Sequence, residues 1–440
     1  MTVSPFDSKM LGTLYSDPEI APLFSEATVI RTLVDVEVAL AKVQGELGII
    51  PRPAAAQIRE AASSFEPDIH QLAESTGVSG VVTTGLVMQL RRAAGDAGPY
   101  VHWGATSQDI IDTGLMLRLQ KALTVLERRL NTAMDVVAAL AESHRQTVML
   151  GRTRSQQAAP TTFGLKAAGW LNGLIDGHEA LDDLRPRLLR VQFGGAVGTL
   201  AVFGDKGIAV SNALAKELGL AQSPAPWHSN RTSIVDFASR LALITGSLGK
   251  IGQDIVLLSQ VEVGELHHNS GGGSSTMPQK SNPILAETLI TLARANAGLV
   301  GTLFQAQIQE HERGGPGWQL EEMTLPQMVL ACGAALLLAE KLLTGLIVDK
   351  DRMRQNLDEA RGIVLAEAAT FALLEHMSRD KAQALVKDAV TEIRRTSQNL
   401  ITILKSKTDV PVDWGKMADP GNYLGVSEDL ITRTLNRRND

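Results

Sequence analysis

"GGGSSTMPQKSNPILAETLITLARANAGLVGTLFQAQI", residues 271–308, joins the most loop-like part of the chain to one of its most apolar parts. Three glycines and two serines open it and a lone lysine follows. Pro283 then leads into 284–308, where Glu287 and Arg294 are the only charges. A surface helix needs one apolar stripe, whereas a helix apolar on every side must be surrounded by other helices. The stretch therefore predicts a mobile polar loop feeding a buried helix.

The same period extends outward. Between Lys121 and Val148, residues Leu123, Leu126, Leu130, Met134, Val137, Leu140 and Ala141 fall on one helical stripe. Residues 233–265 continue without proline, and 325–346 are as apolar as 284–308. Strand-like alternation is nearly absent, so the fold class is all-α. Several helices this long imply an elongated bundle. The middle helices lack a polar face, so burial between subunits completes them, and a homo-oligomer sharing its bundle is expected. Turn-prone "AAGDAGPY" and polar "DKDRMRQNLDEARG" divide the chain into an N-terminal domain 1–112, a bundle domain 113–348 and a C-terminal domain 349–440.

Composition narrows the function classes. A formal charge of −6 over 440 residues gives no broad nucleic-acid or acidic-membrane footprint. Cys332 stands alone in an apolar run, which excludes an internal disulfide and fits a reducing compartment. The N-terminus lacks a signal-peptide pattern, and the longest uncharged apolar run, 329–339, is too short for a bilayer. The expectation is a cytoplasmic protein without membrane or nucleic-acid partners.

Three polar clusters interrupt the helices. In "HWGATSQD" (102–109), Thr106 and Asp109 have the spacing of a capping box, and the same helix start could receive a carboxylate through Thr106, Ser107 and nearby amides. "GRTRSQQAAPTTFG" (151–164) reads as a solvated connection between helices. It could equally hold a dicarboxylate through Arg152, Thr153, Arg154 and Gln156. The third is the opening loop. It lacks the glycine that a Walker A loop needs before its lysine, and no glycine lies two residues after Ser274 or Ser275, as a nucleophile elbow requires. "ELHHN" (265–269) offers two adjacent histidines that would point apart, a poor metal site.

Taken together, the clusters resemble the fumarase/aspartase superfamily. "GGGSSTMPQKSNP" is similar to its G-S-S-x-M-P-x-K-x-N-P signature, "HWGATSQD" to its H-x-G-x-T-S-x-D segment, and "GRTRSQQAAPTTFG" to its G-R-T-x-x-Q-x-A-x-P-x-T segment, in family order. Within the superfamily, "RPRLLRVQFGGAVGTL" (185–200), "PWHSNR" (226–231), "QEHERGGPGW" (309–318) and "DPGNYLG" (419–425) resemble the bacterial 3-carboxy-cis,cis-muconate cycloisomerase group.

The resemblance implies a three-domain helical fold and a homotetramer with a shared central bundle, its active sites built between subunits. It implies a small polycarboxylate substrate, ring closure to 4-carboxymuconolactone, and no metal or organic cofactor. Ser274 would carry the proton, with Lys280 and Asn282 holding the substrate carboxylate and its developing charge. His102, Thr106, Ser107, Thr153, Gln156, Ser275, Met277 and His228 would contact substrate, and Arg152, Arg154, Arg231 and Arg313 are the candidate cations. Many lyases of the superfamily have histidine after G-R-T, where Arg154 stands here. A departing carboxylate, with a pKa of roughly 4, needs no proton, unlike an amine or hydroxide. That favours lactone chemistry over a fumarate-releasing lyase of the adenylosuccinate or argininosuccinate type, which stays open as the alternative. A sulfonate-bearing muconate and a scaffold role without catalysis also remain as readings.

Overall fold

The structure, a computed structural model, describes residues 4–268, 272–273, 277, 280–396 and 398–439. Helices dominate, as the periodicity requires. Six helices exceed 20 residues among the described residues: α1 (Glu26–Glu46), α2 (Ser107–Ser143), α3 (Phe163–Leu188), α4 (Thr232–Leu258), α5 (Ile284–Ala306) and α6 (Pro316–Thr344). Six short strands accompany them: β1 (Val148–Thr153), β2 (Gln156–Thr162), β3 (Leu266–His268), β4 (Gly272–Gly273), β5 (Ser281–Asn282) and β6 (Leu346–Val348). They pair antiparallel as β1–β2, β3–β6 and β4–β5.

Contacts group the chain into two compact units. The first takes in the chain up to Arg129, Gly177–Gly246 and Leu292–Leu337; the second takes in Leu130–Asp176, Ser247–Thr291 and the chain from Leu338. Each of α2–α6 contributes residues to both units, and residue 112 falls inside α2.

In the first unit, α1 starts at Ser25, whose hydroxyl accepts from the Thr28 amide at 3.3 Å. This is a standard N-cap, and Glu26 in the first turn complements the helix dipole. The helix buries Leu33, Val36 and Leu40 against Ile58, Leu86 and Ile110. In the second unit, the helices Ala366–Leu374, Arg379–Thr396 and Leu400–Lys407 enclose a core that includes Leu373, Ile393, Leu404 and Trp414.

Three details depart from the sequence reading. First, α6 begins at Pro316, ahead of the apolar segment 325–346, and continues through Pro326. Proline is disfavoured inside helices but tolerated when packing supplies the stability. Secondly, α4, α5 and α6 are each long and apolar enough, by length and composition, to cross a membrane. A search for uncharged runs missed them because isolated charges such as Glu287 and Arg294 break the runs without breaking the helices. Over half of the most apolar window is buried within the chain in α4 (56%) and α6 (72%), but only 28% in α5. Ile284 and Phe304 are among its exposed large side chains.

Thirdly, residues 148–162 form a β-hairpin rather than a plain connection. Thr153 pairs with Gln156, which leaves Arg154 and Ser155 as a two-residue turn, and their φ angles are +49° and +63°. Positive φ at both central positions is the type I′ pattern, whose twist matches that of the flanking strands. The usual Asn-Gly signal is missing, so the sequence hides the hairpin. An L-residue with a Cβ pays to sit there. Ser155→Gly should therefore raise stability by about 0.5–1 kcal/mol, read as an increase in the urea midpoint at constant slope. An unchanged midpoint would show that this turn stores no strain.

Candidate active site

In the first unit, the site is built on the opening turns of α2. Asp109 is buried, and its carboxylate accepts from four donors: the Thr106 amide (3.0 Å), the Gly194 and Gly195 amides (both 2.9 Å) and His228 Nε2 (2.7 Å). One turn on, Asp112 accepts from Arg231 Nη1 (2.6 Å) and Nη2 (3.0 Å) and from Trp318 Nε1 (3.2 Å). Thr113 exchanges hydrogen bonds with the Gln192 backbone. The face of "DIIDT" thus gathers 191–195, 226–231 and the start of α6. A side chain at Gly194 would strike Pro226 and His228, which explains the glycine in "QFGGA".

Half of the expected capping box is present, since Asp109 reaches back to the Thr106 amide. The Thr106 hydroxyl instead accepts from Arg313, which is exposed. Ser107 begins α2 and is half-buried. Thr106, Ser107 and Arg313 therefore form one accessible polar group at a helix N-terminus, where amides and dipole favour an anion.

His102 lies five residues before α2, with φ +63°. Its Nδ1 donates to Glu37 Oε1 of α1 at 2.5 Å, and its side chain is 15% exposed. Burial alone would lower the imidazole pKa; the Glu37 carboxylate overcomes this and raises it above the usual value.

Arg231 is different from the cation expected of it. It is fully buried, pairs with Asp112 and with Glu321 (Nε–Oε1 2.9 Å, Nη2–Oε2 2.6 Å), and stacks on Trp227 with 4.8 Å from guanidinium carbon to ring centre. Burial alone would lower its pKa, but the two carboxylates raise it. This guanidinium organises the first unit and is not presented to a ligand. His228, also buried, is likewise held on Asp109.

In the second unit, Arg152 of β1 forms a bidentate pair with the buried Glu265 (2.9 and 2.7 Å), whose Oε1 also accepts from Asn356 (2.7 Å). Its fork is committed to Glu265 inside the chain, whereas the sequence offers it as a candidate cation for the substrate. Thr153, Arg154 and Gln156 are exposed around the hairpin turn. The signature loop is tied at its base, where Gly272 pairs with Asn282 and Gly273 with Ser281. Lys280 is exposed, and its amide donates to the Met277 carbonyl at 3.0 Å. Asn282 lines a cavity of about 320 Å³ with Ser281, Ile284, His267, His268 and Leu342. Ser274 and Ser275 lie outside the described residues. His267 and His268 sit on β3 rather than on a helix, and no group of three metal-ligating side chains occurs among the described residues.

Glu37, Glu321 and Glu265 were not singled out from sequence. Two of them left a signal: Glu37 sits on the stripe Leu33–Glu37–Leu40, and Glu321 on Trp318–Glu321–Leu325, where an apolar residue is expected. A carboxylate on a core stripe needs a buried partner.

A family model described as Lyase matches residues 21–298. The chain belongs to this lyase family. It is an enzyme of the fumarase/aspartase superfamily, and its fold is theirs. It is 43% identical to the 3-carboxy-cis,cis-muconate cycloisomerase of Pseudomonas aeruginosa, over 94% of this chain and 93% of that one. The solved 3-carboxy-cis,cis-muconate lactonizing enzyme of Pseudomonas putida superposes with a TM-score of 0.91 at 37% identity, covering 98% and 99% of the two chains. The nitrosuccinate lyase of Streptomyces davaonensis is 35% identical, over 98% and 94%.

The Arg231 cluster yields a direct test. Arg231→Met leaves Asp112 and Glu321 buried without their cation, and breaking such a pair costs about 3–5 kcal/mol. Urea unfolding at pH 7.5 should register that loss. A change below about 1 kcal/mol, the range of exposed ion pairs, would remove Arg231 from its structural role.

Proposed function

We propose that this enzyme is a cycloisomerase that converts 3-carboxy-cis,cis-muconate to 4-carboxymuconolactone. The observation that carries the reading is the 43% identity to a cycloisomerase across nearly the whole chain, with Lys280 and Asn282 at their signature positions and Arg154 in place of the histidine that often follows G-R-T. A substrate carboxylate oxygen attacks the carbon β to a second carboxylate and forms the lactone C–O bond. The double-bond electrons move onto that second carboxylate as an aci-dianion, and the α carbon then takes a proton from Ser274. In the reverse direction the Ser274 alkoxide removes that proton.

Lys280, Asn282 and loop amides stabilise the dianion as an oxyanion hole does; one such donor is typically worth about 100- to 1,000-fold in rate. Thr106, Ser107 and Arg313 receive a further substrate carboxylate at the start of α2, together with His102. Thr153, Arg154 and Gln156 supply donors from the hairpin; from the signature loop Ser275 supplies a hydroxyl and Met277 an apolar contact. His228, Arg231 and Arg152 shape the site through their carboxylate partners.

Arg154 stands at the turn where elimination enzymes of the superfamily often carry histidine, and that favours a carboxylate leaving group. The 35% identical nitrosuccinate lyase keeps elimination from a succinyl-type substrate as the second reading. We further read the chain as a cytoplasmic homotetramer with active sites shared between subunits and with domains 1–112, 113–348 and 349–440. The exposed apolar surface of α5 is then covered by other copies of the chain rather than by lipid. The reaction itself calls for no metal or organic cofactor.

Incubation with 3-carboxymuconate and with adenylosuccinate, followed by ultraviolet absorbance, tests the substrate class; turnover of the second alone would overturn the cycloisomerase reading. Ser274→Ala should keep the tetramer mass by light scattering and lose nearly all turnover, whereas near-normal turnover would remove Ser274 as proton carrier. Arg154→His should not speed lactonisation, and a large gain would sink the leaving-group argument.

A further inference from the structure

The first unit holds two histidine–carboxylate pairs, each with a buried carboxylate, that look alike and are electrically different. Asp109, which faces His228, also accepts three backbone amides. Its negative charge is spread over four donors, so little of it acts on any one of them. Glu37, which faces His102, accepts from His102 through Oε1, and its Oε2 is buried with no hydrogen-bond partner among the described residues. Nearly all of that charge is therefore directed at one imidazole. An unshared carboxylate in a low-dielectric setting holds a proton on its partner strongly.

The geometry of His102 matches this arrangement. Nδ1 is taken by Glu37 at 2.5 Å, while the opposite ring nitrogen, Nε2, makes no hydrogen bond among the described residues. His102 has a left-handed backbone, φ +63°, and Gln44, about two turns from Glu37 on the same face of α1, ties the next residue by donating to the Trp103 carbonyl at 2.8 Å. The charged groups that act on the ring are Glu37 from α1, Asp109 from α2 and Arg91 from the helix Val82–Ala93. Burial of the ring and Arg91 oppose the protonated form; Glu37 and Asp109 favour it and outweigh them.

We propose that Glu37 is a positioning residue: it fixes His102 as an imidazolium whose Nε2–H is left free to donate to a substrate carboxylate. His102 is then a permanent cation at neutral pH and not a proton acceptor. It complements Arg313 at the start of α2, while Arg231 is consumed inside the fold. This assignment rests on the reading of His102 as a substrate-facing residue of a polycarboxylate enzyme. It extends that reading by naming the side chain that sets its charge.

The test separates the two. Nitrogen-15 NMR of the histidine rings in the whole enzyme, with His102 assigned through His102→Gln, should show both ring nitrogens protonated at pH 7.5. In Glu37→Gln, which keeps the size and the hydrogen bond, the ring should be neutral at that pH. A neutral ring in the unsubstituted enzyme overturns the proposal, whatever the substrate proves to be.

Kinetics give the second arm. In Glu37→Gln, KM for 3-carboxymuconate should rise about 10- to 100-fold at pH 7.5, the usual worth of a lost hydrogen bond to a charged group, with kcat little changed. The two enzymes should converge near pH 5.5, below the ordinary imidazole pKa of about 6.5, and Glu37→Asp should restore most of the KM. A loss in kcat with KM unchanged, or a KM difference independent of pH, overturns the proposal. Absence of turnover by the unsubstituted enzyme would instead fail the cycloisomerase reading and leave the NMR result standing.

Discussion

Two carboxylates one helical turn apart, Asp109 and Asp112, hold the first unit's polar interior in register. Because i and i+3 share a helix face, both point into the same volume, and each collects segments far away in sequence. Asp109 fixes the glycine pair 194–195 and His228; Asp112 fixes Arg231 and Trp318. Their place in the first turns of α2 suits their charge, since a helix N-terminus favours an anion. The histidine and arginine of "PWHSNR" are themselves three residues apart, so each acidic residue meets its own partner. Without this pairing the loops that frame the start of α2 would have no common anchor.

The same constraint separates cations that build the site from cations able to meet a ligand. A buried guanidinium with two carboxylates is satisfied and has little left to offer; an exposed one at a helix start is available. Arg231 is of the first kind, and Arg152 is held by the single carboxylate of Glu265; Arg313 before α6 and Arg154 on the hairpin turn are exposed. His102 falls between them, because the Glu37 carboxylate raises its pKa and takes only one of its two ring nitrogens. Burial thus separates, in a way residue type alone could not, the cations paired inside the fold from those left exposed.

Much of the fold was legible because helices are local. The stripe from Leu123 to Ala141 and the apolar run after Pro283 each report on neighbours within a few residues; the run forms α5 at nearly its expected bounds, and the stripe lies within α2, which starts at Ser107, well before Lys121. The hairpin at 148–162 was not legible, because its turn uses Arg154 and Ser155 at positive φ in place of the residues that normally announce such a turn. The apolar segment 325–346 likewise fell short of the start of α6, which runs from Pro316 through Pro326. The capping spacing of Thr106 and Asp109 was correct for the amide, yet the Thr106 hydroxyl turned out to serve Arg313.

By itself the sequence determined the helical class, the lyase family and the chemical character of three segments, since periodicity and motif spacing are properties of the chain order. Only the tertiary structure decided which charged residues are spent on each other. Arg231 meets Asp112 across 119 residues and Glu321 across 90, and Arg152 meets Glu265 across 113. No local pattern encodes such pairs; they exist because folding removes these groups from water, and a buried charge is tolerable only beside its opposite.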